Sequence, residues 1–167
     1  MKNQRERCTT LTIPGDKSIS HRALLFNSMA NGTARIENLL MGEDVLSTIK
    51  CLRKLGVQIH VEDNICVLVG SNGIFRQPLA ELYCGNSGTT IRLLLGLLAP
   101  HPIRVILSGD KSLSKRPMKR ITKYLEPLGV NYEGSCDLPP ICQTGCASID
   151  NFESRLHIAS AQMKSAL

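Results

Sequence analysis

At 167 residues, 43% of them hydrophobic and 20% charged, the chain holds enough material for one sizeable core, and its composition excludes wholesale disorder. Aromatic residues make up only 4%, with no Trp, so the core must be aliphatic and the stacking platforms of single-stranded nucleic-acid binders are missing. A net charge of +6 favours anionic partners, and the most apolar stretch, Ile91–Ala99, is far shorter than the roughly 20 residues a bilayer span needs.

Met1 to Thr10 is polar and charged and lacks the apolar run of a secretory signal. Leu11-Thr12-Ile13 reads as a short strand that leads into a polar turn, Gly15-Asp16-Lys17-Ser18, and then into the apolar helix start His21-Arg22-Ala23-Leu24-Leu25. From Asp44, the residues Val45, Leu46, Ile49, Leu52 and Leu55 fall at helical spacing, and Gly56 supplies a C-terminal stop. Val57 to Val61 alternates as a strand, Asp63-Asn64 turns the chain, and Ile65 to Val69 returns as a second strand. Leu82-Tyr83-Cys84 begins the pattern again, with the turn Gly85-Asn86-Ser87-Gly88-Thr89-Thr90 before the helix start Ile91-Arg92-Leu93. Pro117 is expected to open a further helix with Met118, Ile121, Leu125 and Leu128 on one face, stopped by Gly129 and followed by a strand over Val130–Tyr132. A third strand-like start, Leu156-His157-Ile158, leads into Ser160-Ala161-Gln162 and a last helix from Met163.

The order is the same each time: short strand, small polar turn, apolar helix, strand, helix, two strands. Leu55-Gly56-Val57 and Leu128-Gly129-Val130 recur 73 residues apart as equivalent punctuation. The fold class is therefore α/β, a repeat of roughly 70 residues whose apolar helix faces must pack against sibling units. Leu167 falls inside the first helix of the third unit without a stop signal, so at least ~55 further residues of that unit are expected.

Three polar turns precede three helices at matching places. The first turn of a helix leaves backbone N–H groups unpaired and carries the positive end of the dipole, so such turns suit phosphate or carboxylate groups. Lys17 and Arg22 on the first helix and Arg92 on the second place cations where they oppose that dipole, an arrangement that favours a bound anion. The turn from Gly109 to Pro117 adds Lys111, Lys115 and Arg116, and Arg116 has the planar fork for bidentate contact with a carboxylate or phosphate. Gly85–Thr90 is not a Walker A loop, because no Lys follows Gly88, and no G-x-G-x-x-G opens the first helix. His21 is expected to face solvent or cap the helix. Glu43, Asp44, Asp63 and Asp110 read as caps and turn formers, which leaves no general acid–base pair. The seven cysteines read as reduced, small apolar residues of a cytoplasmic protein. Cys136, Cys142 and Cys146 with His157 lack the paired knuckle of a structural zinc site, so no metal is expected.

Four segments, G-D-K-S-I-S-H-R-A-L (15–24), G-N-S-G-T-T-I-R (85–92), G-D-K-S-L-S-K-R-P-M (109–118) and A-S-A-Q-M-K-S-A-L (159–167), resemble the N-terminal portion of the 5-enolpyruvylshikimate-3-phosphate synthase family, in order and along essentially the whole chain. The resemblance implies a two-domain fold of βαβαββ units. Residues 1–14 would be a leading strand of a lower domain, and 15–167 an incomplete upper domain with units at about 15–75, 80–148 and 149–167. It implies transfer of the carboxyvinyl group of phosphoenolpyruvate to the 5-hydroxyl of shikimate 3-phosphate, in the shikimate pathway, with no cofactor. By the same resemblance Lys17, Ser18, Arg22, Ser160, Ala161 and Gln162 would hold shikimate 3-phosphate, and Lys17, Gly88, Arg116 and Gln162 would hold phosphoenolpyruvate. Thr89 would support the turn, and Arg92 would have a structural part. Ala161 stands where some members have Ser, so only its backbone could serve. The acid–base residues would lie beyond Leu167, and the 167 residues alone would not turn over. Glyphosate would compete at the phosphoenolpyruvate place, admitted by Gly88. Nucleic acid and membrane are not expected partners, and the full-length protein is expected to be a monomer. The alternatives are a non-catalytic fragment that binds phosphorylated ligands and the UDP-N-acetylglucosamine carboxyvinyltransferase of the same fold. None of the seven Cys sits in a loop matching the one that the latter uses.

Overall fold

The helix and strand spacings of the sequence reappear in a computed structural model that describes residues 11, 13–149, 153–157 and 159–167. In chain order these form α1 (Lys17–Met29), β1 (Thr33–Ile36), α2 (Glu43–Lys54), β2 (Gln58–Glu62), β3 (Ile65–Val69), β4 (Leu82–Tyr83), α3 (Gly88–Leu97), β5 (Arg104–Ser108), α4 (Lys119–Leu125), β6 (Asn131–Glu133), β7 (Ile141–Thr144) and α5 (Ala161–Ala166). One sheet has the order β1-β3-β2, all antiparallel; the other has the order β4-β5-β7-β6, with only β4 and β5 parallel. Without β4 the two sheets share one connectivity, so the α/β repeat read from the sequence is also a repeat of topology. The expected lead-in strand at 1–14 lies almost wholly outside the described residues, and Leu11 and Ile13 belong to no strand. Leu156 and His157 likewise form no strand, contrary to expectation, and Ile158 lies outside the described residues.

Both units turn the chain from the helical segment into the following strand at a glycine. Gly56 and Gly129 have φ of 93° and 92°, left-handed values at which a side chain would be strained. A second pair of glycines closes each unit. A Cβ on Gly70, just past β3, would stand 2.1 Å from the Ala30 carbonyl oxygen, and one on Gly145, just past β7, would stand 2.1 Å from that of His101. Each sheet thus ends hard against the backbone just past its own unit's first helix.

α3 is the hub: it packs on α1, α2, α4 and α5, and six of its ten residues are buried. The core is aliphatic, as the composition requires, with Leu24, Ile49, Leu52, Leu94, Leu95 and Leu107 closed to solvent. Cys51, Cys66 and Cys84 belong to it; burial pushes the Cys66 thiol up, and contact with Cys51 together with burial does so for Cys84. Cys136, Cys142 and Cys146 are half-buried, and Cys8 lies outside the described residues. One polar side chain sits deep in the second unit. Gln143 fills the place that Leu68 fills in the first, two residues before the closing glycine. Its Nε2 donates to the Leu95 carbonyl oxygen at 3.1 Å, an acceptor left free because the Ala99 N–H turns to Gly96 O.

α4 departs from expectation at both ends. Pro117 does not open it; the basic turn first coils into a 3-10 turn over Leu113–Lys115, and the helix begins only at Lys119. Asp137 fixes that start, since its carbonyl accepts from Met118 N at 2.6 Å and its Oδ1 from Lys119 N at 3.2 Å. At the far end Pro127 has no N–H to continue the ladder, so residues Glu126–Leu128 tighten into a second 3-10 turn and Leu128 leaves the helix face.

Among the described residues no helix is long and apolar enough to cross a membrane.

Candidate functional site

Each of the three polar turns places a capping side chain at a helix start. Asp16 Oδ1 accepts from Ile19 N at 2.8 Å before α1, Ser87 Oγ from Thr90 N at 3.1 Å before α3, and Ser160 Oγ from Met163 N at 3.3 Å before α5. Caps of this kind stabilise a helix by about 1 kcal/mol each. They also fix the direction in which the remaining free N–H groups point, and the three starts face a common region. An open depression is lined by Ser18 and Arg22 of α1, Thr89 of α3, and Ala161, Gln162, Lys164 and Ser165 of α5.

Arg22 ties two of these starts together. Its Nη1 donates to Ser18 O at 3.0 Å, its Nη2 to Ala161 O at 3.2 Å, and its Nε to Ser165 Oγ at 2.9 Å. Gln162 ties the third: its Nε2 donates to Thr89 Oγ1 at 3.0 Å, while its Oε1 accepts from Arg92 Nη1 at 3.4 Å. Arg92 also donates to Gly88 O at 3.2 Å and to Pro117 O at 3.3 Å, so its guanidinium spans α3, α5 and the basic turn. Burial and the charges of Arg116 and Arg120 hold the Arg92 pKa below its usual value. Cations gathered against their mutual repulsion are the electrostatic mark of a place for an anion.

Gly88 lies between two guanidiniums: a Cβ there would stand 2.7 Å from Arg92 Nη1 and 3.3 Å from Arg116 Nη1. Arg116 is half-buried and held from below. Its Nη1 donates to Asn86 O at 3.2 Å, its Nη2 reaches Asn86 Oδ1, and Asn86 Nδ2 in turn donates to Asp110 Oδ2 at 2.7 Å. Asp110 accepts from Ser112 N and Leu113 N as well, and these bonds, with Asn86, hold its carboxyl below the usual range. Asp110 is thus the turn former that the sequence suggests, and through Asn86 it also aims Arg116.

Asp44 differs from its expected part as a cap. Gly42 is the N-cap of α2, and Asp44 Oδ2 pairs with Lys17 Nζ at 3.0 Å. The Lys17 side chain is half exposed, and a pair of that kind contributes at most about 1 kcal/mol, so an arriving anion competes for the ammonium at small cost.

His21 does not face solvent or cap α1. It is fully buried, and its Nδ1 lies 2.8 Å from Thr48 Oγ1. The reason is rotational: Ser20, His21, Leu24, Leu25 and Ser28 form one stripe of α1, and that stripe faces the core. Burial pushes its pKa down to about 4, against the attraction of Asp44. The unfolded chain takes up this proton near pH 6.5 and the folded chain does not. Stability therefore falls as pH drops from about 6.5 to about 4, by up to roughly 3 kcal/mol from this residue. Denaturant melts at pH 7 and pH 4.5 should show that loss, and His21→Gln should remove most of the difference.

Among the described residues no group of three His, Cys, Asp or Glu side chains is arranged to hold a metal ion. The depression instead offers cations, hydroxyls and helix-start N–H groups, which suit phosphate and carboxylate oxygens. Of the anticipated binding residues, Ser18, Arg22, Ala161 and Gln162 line it, Ser160 caps the helix that carries Gln162, and Gly88 and Arg116 adjoin through Arg92, whereas Lys17 pairs with Asp44 and is not among the lining. Sequence reading missed Asn86 and Asp44 as partners of Arg116 and Lys17; they lie 30 and 27 residues away in the chain, and no spacing rule reaches that far.

The chain matches the family model described as EPSP synthase (3-phosphoshikimate 1-carboxyvinyltransferase) over residues 3–167. The 3-phosphoshikimate 1-carboxyvinyltransferase of Caldicellulosiruptor saccharolyticus is 43% identical over 169 residues, covering 100% of this chain and 39% of that protein. The one from Streptococcus pyogenes is 46% identical over 162 residues, covering 95% of this chain and 37% of that protein. A solved structure of EPSP synthase from Acinetobacter baumannii superposes with a TM-score of 0.87 at 39% identity, covering 93% of this chain and 36% of that one. The chain thus spans less than two-fifths of the length of these relatives.

Proposed function

The chain belongs to the EPSP synthase (3-phosphoshikimate 1-carboxyvinyltransferase) family, and we propose that its three helix starts capture the two substrates of that reaction. In the complete enzyme the 5-hydroxyl of shikimate 3-phosphate adds to C2 of phosphoenolpyruvate while C3 takes a proton, giving a tetrahedral intermediate. Loss of phosphate from C2 and of the proton from C3 then leaves the enolpyruvyl ether. The observation that supports this reading is the ring of guanidiniums and small-residue turns around Gly88 and Gln162.

On this reading Lys17, Ser18, Arg22, the Ser160 hydroxyl, the Ala161 backbone and Gln162 hold shikimate 3-phosphate. Lys17, Arg116, Gln162 and the open space at Gly88 receive phosphoenolpyruvate. Arg92 braces Gly88 and Gln162 rather than touching substrate. The described residues supply binding groups; the carboxylates that adjoin the site, Asp16, Asp44 and Asp110, are engaged with Ile19 N, Lys17 and Asn86. Proton transfer therefore falls to groups other than these, and residues 1–167 alone bind without turnover. The family's substrates are small metabolites, which fits a cytoplasmic monomer with glyphosate as a competitor for the phosphoenolpyruvate place.

Thermal melting of the chain with shikimate 3-phosphate tests the reading. Ligand at 100 times its dissociation constant adds about 2.7 kcal/mol, which for a chain of this size raises Tm by roughly 5–10 °C. A Tm unmoved by millimolar shikimate 3-phosphate, with or without phosphoenolpyruvate, sinks it.

A further inference from the structure

Beneath the depression runs a buried chain of four polar side chains from three helices or their caps. His21 Nδ1 lies 2.8 Å from Thr48 Oγ1, Thr48 Oγ1 lies 2.8 Å from Thr90 Oγ1, and the Thr90 hydroxyl donates to Ser87 Oγ at 2.7 Å. All four residues are closed to solvent. In a mainly aliphatic core a connected run of four polar side chains calls for a reason, because apolar residues of the same shape would fill these places with no polar group to satisfy.

The chain has a direction. His21 Nε2 is buried and has no hydrogen-bond partner among the described residues. An unpartnered lone pair is cheaper to leave there than an unpartnered N–H, so the proton sits on Nδ1 and is donated to Thr48. Thr48 then donates to Thr90, and Thr90 to Ser87, whose Oγ also accepts from Thr90 N. Every member adjoins a group of the site above. His21 precedes Arg22, Thr48 lies one helical turn beyond Asp44, the partner of Lys17, and Ser87 caps α3 immediately before Gly88 and Thr89. The Asp44 carbonyl oxygen lies 3.2 Å from Thr90 Oγ1, where it shares with Ser87 the single proton of that hydroxyl.

We propose that His21, Thr48, Thr90 and Ser87 form a positioning relay that sets the placement of the α3 start against the α1 start, and so the spacing at which the two substrates are held. This rests on the substrate-capture reading for its functional half. Hydrogen bonds hold distance and angle where apolar packing tolerates sliding, which is why a polar chain occupies this seam. The relay residues touch no substrate; they act through Arg22, Lys17 and Gly88.

Thr48→Val removes the central hydroxyl and keeps the shape, whereas Thr48→Ser keeps the hydroxyl and loses a methyl. We expect Thr48→Val to speed amide exchange at Gly88–Thr90 at least tenfold and to weaken phosphoenolpyruvate binding, measured with shikimate 3-phosphate present, at least fivefold. Thr48→Ser should stay within twofold of the parent chain in both. A purely structural role gives the opposite order, since Val keeps the packing that Ser loses. Binding and exchange unchanged in Thr48→Val, or Thr48→Ser as impaired as Thr48→Val, overturns the relay. If the parent chain binds neither substrate, the capture reading falls and exchange alone decides: unaltered exchange in Thr48→Val overturns the relay, and loosening restored by Ser sustains it as the brace of the α3 turn. Should Thr48→Val not fold, the pair Thr90→Val and Thr90→Ser is read the same way.

Discussion

Replacing Arg22 by Ala is expected to weaken shikimate 3-phosphate binding by about 30- to 1000-fold, a loss of roughly 2–4 kcal/mol. Two effects add. The variant removes a cation from the depression, where each charge-assisted bond contributes about 1.5–3 kcal/mol. It also cuts the bonds from α1 to Ala161 O and Ser165 Oγ, which hold the start of α5 in place. Arg22→Lys restores the charge but not the planar fork that reaches three acceptors at once, so it should recover only a minor part of the affinity. Isothermal titration of parent chain and variants with shikimate 3-phosphate checks this. An Arg22→Ala affinity within threefold of the parent's removes Arg22 from the site.

The second large effect is expected at Gly96→Ala, with a sign opposite to that of helix propensity. A Gly inside a helix costs up to about 1 kcal/mol relative to Ala, and less in the last turn where Gly96 lies, so the substitution on its own should slightly stabilise α3. The contact across the helix pair reverses this. A Cβ at position 96 would stand 1.5 Å from the Ala166 carbonyl oxygen and 2.5 Å from its carbonyl carbon. Those are backbone atoms, and no rotamer change relieves them, so α5 must lift away from α3. Met163 and Ala166, now 4% and 5% exposed, then lose their cover. Losing the burial of Met163 alone costs about 1.5–3 kcal/mol. The net expectation is a destabilisation of about 1–3 kcal/mol and a Tm lower by several degrees. Gln162 leaves Thr89 and Arg92 in the same movement, so shikimate 3-phosphate should no longer protect the variant. A Tm equal to or above the parent's would show that α5 does not sit against Gly96.

Punctuation was the most legible part of the fold. Gly56 and Gly129 end their helical segments with nearly identical left-handed geometry, Gly129 after a 3-10 turn, and the strand bounds at Ile65–Val69 agree with the sequence. The candidate binding residues were legible because most of them cluster in short segments that start helices. What escaped were relations across the chain. Asp137 delays α4 from a place 18 residues downstream of Lys119, and it overrides the preference of Pro117 for a first helical turn. His21 escaped for a different reason, because the signal was present and was outweighed. Its stripe is shared with Leu24 and Leu25, three and four residues on, and that spacing points inward whatever the polarity of imidazole. Neighbours in sequence, Ser20 and Arg22, suggest a wet surface only if helical rotation is ignored.

Gln143 bears on how two look-alike halves avoid exchanging parts. While the chain is still open, the hairpins β2–β3 and β6–β7 present similar edges, and mispairing between such siblings is a known hazard of duplicated architectures. A Leu in that place would settle against either first helix. The Gln143 amide instead carries a donor that must meet an acceptor, and in this fold its Nε2 meets Leu95 O on α3. One amide thus ties the second hairpin to its own unit's first helix.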